Sequence, residues 1–277
     1  MSIRELLRGR VEPERLERIA ASVAGRFDEP VESVEPLEAD NWLSTPCVVN
    51  ERWFVKVLTQ RNALVHALFT AGRNLGAFSS GTAGFFEHTA DPLDMAEREL
   101  AATRRMRELG IDAPEPIDAF EHDGLGVLAL EYLPEFRTLG SLDPPTAERF
   151  APDLFAALAT LSADGLAHGD LRGENVLVHD GDLYFVDATT VRSDAGEATS
   201  AARAYDLACA LAALSPLIGS DRAVAIATDH YQPDDLLAAR SFLDFVNLRP
   251  DHDFDGAAVK GSIEQAVALD GTEESGD

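Results

Sequence analysis

Lysine is nearly absent from this 277-residue chain: of its 23 basic residues only Lys56 and Lys260 are lysines, and the other 21 are arginines. Positive charge is scarce altogether, because 49 Asp and Glu leave a formal net charge of −26. An acid excess of this size repels phosphate backbones and anionic lipid heads, so neither direct nucleic-acid binding nor membrane binding is expected. Cysteine is limited to Cys47 and Cys209, which excludes a disulfide framework and a CxxC metal pair. No run approaches the ~18 apolar residues of a membrane span. The opening MSIRELLRGRVEPERLERI lacks the uninterrupted apolar stretch of a signal peptide. These absences predict a soluble, reduced, cytoplasmic protein.

What the chain does have is 45% hydrophobic residues, too many for disorder. Its acids are spread along the whole length, as in proteins kept soluble in concentrated salt. The length suffices for one large domain or for two lobes around a shared cleft. Residues 13–27 read as an amphipathic helix, with Pro13 in the first turn and Leu16, Ile19, Ala20, Val23 and Phe27 on one stripe. VESVEPL, PCVVN and RWFVKVL read as three antiparallel strands, the last two joined tightly at Asn50-Glu51. Residues 60–92 are an insertion of mixed character. A helix over 94–109 ends at Gly110. Two strands follow around Asp123-Gly124, and the stronger, LGVLALEYL, stops at Pro134. Beyond a linker near 134–145 the chain turns helical. Helices are predicted at 146–163, 199–214, 221–231, 233–247 and 257–269, with a short hairpin at NVLVHDGDLYFVD turning on Asp180-Gly181.

Three segments carry chemistry. In the first, Lys56 interrupts the apolar strand FVKV, a compact point charge in a chain that otherwise uses Arg. The plain alternative is a solvent-facing strand lysine. The second is His168-Gly169-Asp170-Leu171-Arg172-Gly173-Glu174-Asn175, a loop between a helix and a strand. Its carboxylate at Asp170 suits accepting a proton from an attacking hydroxyl. Its carboxamide at Asn175 suits a hard cation such as magnesium. The third is Leu183-Tyr184-Phe185-Val186-Asp187, whose hairpin geometry returns Asp187 toward Asn175 as a second oxygen ligand. Singly, each pattern is more often a cap or a turn. Their order and spacing give them weight.

Together these segments resemble the lysine strand, catalytic loop and magnesium-binding Asp of the protein-kinase-like superfamily, over roughly residues 31–247. The resemblance implies an α+β chain with the bilobal protein-kinase-like fold, an antiparallel-sheet N-lobe and a mainly helical C-lobe. It divides the chain into an N-terminal helical extension at 1–30, an N-lobe at 31–133, a C-lobe at 134–250 and an acidic tail at 251–277. It further implies that Lys56 contacts ATP phosphates, paired with Glu99, with Glu97 as the alternative. Asp170 is then the catalytic base, and Asn175 and Asp187 hold Mg2+. Arg172 stands where many protein kinases keep a lysine near the transferred phosphate. LALEYLP resembles the hinge, with Leu130 as gatekeeper and the Glu131 carbonyl and Leu133 amide on adenine. Asp206, in AYDLACALAAL, would hold loop amides, and Cys209 beside it reads as a small core residue.

The chain also departs from the family. The phosphate-covering loop, normally G-x-G-x-x-G, is EADNWLSTPCVV, leaving Asn41, Ser44 and Thr45 to offer side-chain and backbone hydrogen-bond donors to phosphate. Gly169 replaces the Arg before the catalytic Asp, removing the partner of a phosphorylated activation loop. Asp187-Ala188-Thr189 replaces Asp-Phe-Gly, and no Ala-Pro-Glu follows. These features point to RIO-type atypical kinases, the small kinase of the archaeal KEOPS complex, and aminoglycoside/choline phosphotransferases. The five-residue spacing of Asp170 and Asn175 favours the RIO/KEOPS side. The expected function is a RIO-like Ser/Thr phosphotransferase using ATP and Mg2+, or an ATPase switch. A small-molecule kinase is the second reading and an ATP-binding pseudokinase the third. The expected partners are ATP and a hydroxyl acceptor, either protein or small molecule.

Overall fold

The computed structural model describes residues 11–37, 44–60, 62, 91–188, 197–248 and 252–273. These fall into two compact units, one holding the described residues up to 62 with 91–108 and 113–135, the other holding 109–112 and the described residues from 136 onward.

The first unit is built on an antiparallel sheet. Helix α1 (Pro13–Ala24) leads through a 3-10 turn (Gly25–Phe27) to β1 (Val34–Pro36), β2 (Thr45–Val49) and β3 (Trp53–Leu58). Helix α2 (Pro92–Glu108), β4 (Pro116–His122) and β5 (Leu125–Glu131) complete it, in the sheet order β1-β2-β3-β5-β4. The β2–β3 turn spans Asn50, Glu51 and Arg52, with Asn50 and Glu51 at positive φ and the Arg52 N–H donating to the Val49 carbonyl (3.1 Å). The Asn50 carboxamide also accepts from the Glu32 N–H (2.7 Å) and donates to the Pro30 carbonyl (2.8 Å), tying down the approach to β1.

Strand alternation sends β3 to two different cores. Trp53, Val55 and Val57 face Leu16, Ile19, Ala20 and Val23 of α1. Leu58 and the β5 residues Leu128 and Leu130 face Ala96 and Leu100 of α2, with Phe54 packed alongside. The sheet is therefore covered on both sides, which explains why β3 and β5 read as nearly continuous apolar runs. The expected helix over 13–27 tightens into the 3-10 turn at its end, where Phe27 stacks on Trp53 at 4.9 Å.

The second unit is mainly helical. A short strand β6 (Arg137–Thr138) and a 3-10 turn (Leu139–Ser141) precede α3 (Pro144–Ala163). Then come β7 (Val176–His179) and β8 (Asp182–Phe185), in the order β6-β7-β8. Helices α4 (Glu197–Ile218), α5 (Ser220–Ala227), α6 (Pro233–Arg240), α7 (Leu243–Asn247) and α8 (Gly256–Glu273) follow. Asp143 caps α3 by accepting from the Thr146 N–H (3.4 Å), and it also accepts from the Thr146 hydroxyl (2.7 Å).

Helix α4 packs against α3, α5, α6 and α7 and forms the centre of this unit. Its window Ser200–Ile218 is long and apolar enough to cross a membrane by length and composition, although it is broken by polar residues. That window is 72% buried inside the protein, as a core helix is. Helix α4 extends past the expected 214 to Ile218 with Pro216 inside its last turn, and Gly219 at φ +85° follows it. The expected helix at 233–247 is two: Ser241 donates its hydroxyl to the Ala238 carbonyl and the chain turns there. Helix α8 runs to Glu273, beyond the expected 269, and buries Val259 and Ile263. The α+β class expected from the sequence holds, with an antiparallel sheet in the first part and helices in the second.

Candidate active site

In the first unit, Lys56 lies mid-strand between Pro46 of β2 and Leu128 of β5. Alternation turns it to the α2 face, where its Nζ donates to Glu99 Oε1 at 2.6 Å. The two side chains are only 5% and 12% exposed. Glu99 reaches the lysine because it shares the inward stripe of α2 with Ala96, Leu100 and Thr103, whereas Glu97 is exposed. A buried ion pair recovers little of its desolvation cost, so its presence is weak evidence for stability and better evidence for a task.

The stronger strand expected to form the hinge is β5. The Glu131 carboxylate accepts from the Glu115 N–H at 3.0 Å, and the Tyr132 N–H donates to the Arg52 carbonyl at 2.8 Å. Leu133 is buried and Leu130 lies in the α2-side core. Of the residues expected to donate hydrogen bonds to phosphate, Asn41 lies outside the described residues. Thr45 begins β2. Ser44 is buried, with no hydrogen-bond partner for its hydroxyl among the described residues.

In the second unit a network of backbone and side-chain bonds fixes the loop after α3. Both oxygens of buried Asp206, on α4, accept loop amides: His168 N–H at 2.5 Å and Gly169 N–H at 2.9 Å. Burial pushes the Asp206 carboxyl up to about 7, although those two amides pull it down. Gly169 takes φ +81°, a conformation that favours glycine. This accounts for the residue standing where an Arg was expected. Asn175 donates its Nδ2 to the Asp170 carbonyl at 2.8 Å, closing the loop on itself. The Val186 N–H donates to the Asn175 carbonyl at 3.0 Å, so the β7–β8 hairpin brings the chain entering Asp187 against the loop. Asp187 is half-buried with φ +61°, a strained setting for a non-glycine residue and one that clusters at functional sites. Arg172 lies across the loop, with Nε 3.5 Å from Asp170 Oδ2 and Nη2 3.3 Å from Asn175 Oδ1.

His168 is the residue whose part the sequence reading did not assign. It is fully buried and spans the loop: one ring nitrogen meets the Val186 carbonyl at 3.0 Å, the other faces the Asp170 N–H at 3.4 Å. A carbonyl partner requires Nε2 to be the donor, which leaves Nδ1 as an acceptor. Burial holds the imidazole below its ordinary pKa. The signal for it was present, since His168 opens the loop motif. A second contact was unreadable: Gly173 and Gly140 touch backbone to backbone, and a Cβ on Gly173 would lie 3.1 Å from the Gly140 nitrogen.

Among the described residues no group of three or more His, Cys, Asp or Glu side chains could hold a metal. Magnesium needs only one or two protein oxygens, completing its shell with phosphate and water. The Asn175 carboxamide and Asp187 carboxylate are donors of that kind, placed on adjoining backbone.

The RIO domain family matches residues 90–201. This bears out the protein-kinase-like resemblance on its RIO side. The matched stretch includes Glu99, Asp170, Asn175 and Asp187, while Lys56 precedes it and Asp206 follows it. Among solved structures the chain is similar to an aminoglycoside-3'-phosphotransferase of type VIII. The identity is 16% and the TM-score 0.49, over 83% of this chain and 98% of that one. It is also similar to the PAN3 pseudokinase of Drosophila melanogaster, at 15% identity and a TM-score of 0.41, over 89% of this chain and 70% of that one. No curated protein matches.

Proposed function

We propose that this chain is a RIO-like phosphotransferase that uses ATP and Mg2+ to move the γ-phosphate to a hydroxyl, on a protein Ser or Thr, or to water as a switch. The observation that carries this reading is the braced loop: Asp170 and Asn175 are tied together, and Asp187 enters beside them on the Val186–Asn175 bond. Asp170 takes the acceptor's proton as its oxygen attacks the γ-phosphorus, and the bond from that phosphorus to the β-bridging oxygen breaks, releasing ADP. Asn175 and Asp187 hold the metal, which neutralises charge on the phosphate oxygens when bound. Lys56 holds the α- and β-phosphates, and Glu99 keeps its ammonium extended. Ser44 and Thr45, with Asn41, are assigned to the phosphates. The Glu131 carbonyl and the Leu133 amide are assigned to adenine.

A small-molecule acceptor is the second reading, favoured by the short segment from Asp187 to Asp206 without an Ala-Pro-Glu platform. On composition we assign the protein to the cytoplasm of a salt-rich cell, without nucleic-acid or membrane partners.

The test is phosphate release from Mg-ATP in concentrated salt, with and without protein and metabolite acceptors. Turnover is expected in the wild type and a loss of at least about 100-fold in Asp170→Ala and Lys56→Met. Equal turnover in the Asp170 variant overturns the reading. Magnesium-dependent ATP binding without turnover in the wild type makes the chain a pseudokinase.

A further inference from the structure

The oxygen of Asn175 assigned above to a metal already has a cation beside it. Arg172 Nη2 donates to Asn175 Oδ1 at 3.3 Å. The same guanidinium lies 3.5 Å from Asp170 Oδ2 through Nε and 3.5 Å from Glu174 Oε2 through Nη1. A positive group in this position repels a divalent ion and occupies its ligand.

We propose that Arg172 is a gate: without nucleotide its guanidinium stands in for the metal's charge, so the site accepts a divalent cation only together with a polyphosphate. This rests on the function proposed above.

The geometry suits a releasable gate rather than a fixed brace. The Nη2–Asn175 and Nη1–Glu174 hydrogen bonds, at 3.3 and 3.5 Å, are near the outer limit of hydrogen bonding, where a bond is weak, and Nε approaches Asp170 as an ion-pair contact at 3.5 Å. The arginine side chain is 27% exposed and its Glu174 partner 66% exposed, so solvent screens what they gain. A polyphosphate offers the guanidinium a two-pronged partner that it prefers to a carboxamide oxygen. Once the arginine turns to phosphate, Asn175 Oδ1 is left to the metal. In a chain of net charge −26 such a gate has a use, because divalent ions crowd an acidic surface and would otherwise fill the site unproductively.

The experiment is titration of nucleotide-free protein with Mn2+, free ion being read by electron paramagnetic resonance. About 2 M KCl suppresses loose binding to surface carboxylates. Arg172→Met should gain one Mn2+ site at least about tenfold tighter than any in the wild type. Arg172→Met/Asn175→Ala should lose it again, and Arg172→Lys, which keeps the charge, should resemble the wild type. With a non-hydrolysable ATP analogue, wild type and Arg172→Met should both take up Mn2+. Identical nucleotide-free isotherms for wild type and Arg172→Met overturn the gate, even where the analogue brings Mn2+ into both. If the analogue brings no Mn2+ into the wild type, the gate and the proposed function fall together.

Discussion

His168 is wholly buried yet ionisable, and the direction of its shift fixes a sign. Burial depresses its pKa, while the nearby carboxylates of Asp170 and Asp187 pull the other way. The two ring contacts fit the neutral imidazole, since a proton on Nδ1 would face the Asp170 N–H. In the unfolded chain histidine titrates near ~6.5, so below that pH the unfolded state binds more protons than the native one. The stability His168 contributes is therefore whole above ~6.5 and is lost as pH falls through its lower native value. Asp206 works in the opposite sense. Its native value of about 7 lies above the unfolded ~3.9, so its contribution is whole in acid and lost as pH rises through about 7. A wild-type curve mixes the two groups, whereas comparison with His168→Gln separates them. In urea unfolding, the advantage of wild type over His168→Gln should shrink between about pH 7.5 and 5.5. An advantage that stays constant or widens in acid means that His168 is not held neutral.

Helix α2, which carries Glu99 to Lys56, meets the sheet backbone to backbone at Gly126. A Cβ on Gly126 of β5 would lie 2.0 Å from the Pro92 carbonyl oxygen, a backbone atom that no side-chain rotation can move. Gly126→Ala must push the start of α2 outward, and with it the helix that carries Glu99. It should cost about 1–3 kcal/mol and loosen the Lys56–Glu99 pair. Gly261→Ala on α8, where an added Cβ meets nothing within 4 Å, is the control and should gain up to ~1 kcal/mol from helix propensity. Thermal melts of the two variants check this, and equal melting temperatures sink it. Such contacts explain what could be read in advance. Helix α2 and the hairpins at Asn50-Glu51, Asp123-Gly124 and Asp180-Gly181 were legible because periodicity and turn residues are local properties of the chain. The order of Lys56, Asp170, Asn175 and Asp187 was legible for the same reason. Strand β6 was not, since two residues carry no alternation, and its pairing with β7 is a long-range choice. The ring contacts of His168, the reach of Arg172 to Asn175 and the closeness of Gly140 to Gly173 depend on side-chain or backbone packing that no pattern encodes.

At the scale of the molecule, charge decides how stability responds to salt. The 23 basic residues can neutralise at most 23 of the 49 acids, so the excess of 26 repels itself whatever the pairing. Pairs such as Arg52–Glu29, with side chains 56% and 39% exposed, and Arg222–Glu148, at 55% and 45%, are surface bridges. Each is worth roughly 0–1 kcal/mol and is itself weakened by salt. Two opposed effects follow as salt rises: ion pairs fade and like-charge repulsion fades. The Debye length drops from about 10 Å at 0.1 M to about 3 Å at 1 M, which removes repulsion across the whole surface while contact pairs near 2.5–2.7 Å are screened less. Repulsion therefore loses more, and the folded state gains. The melting temperature should climb steeply between about 0.1 and 1 M KCl, and more slowly above it, where only general salt effects on burial remain. Sodium chloride should give a similar climb over the lower range, since screening depends on ionic strength and not on the ion. A melting temperature that is flat or falls from 0.1 to 1 M would mean that the acids are locally compensated. The −26 would then be a figure of composition without mechanical consequence.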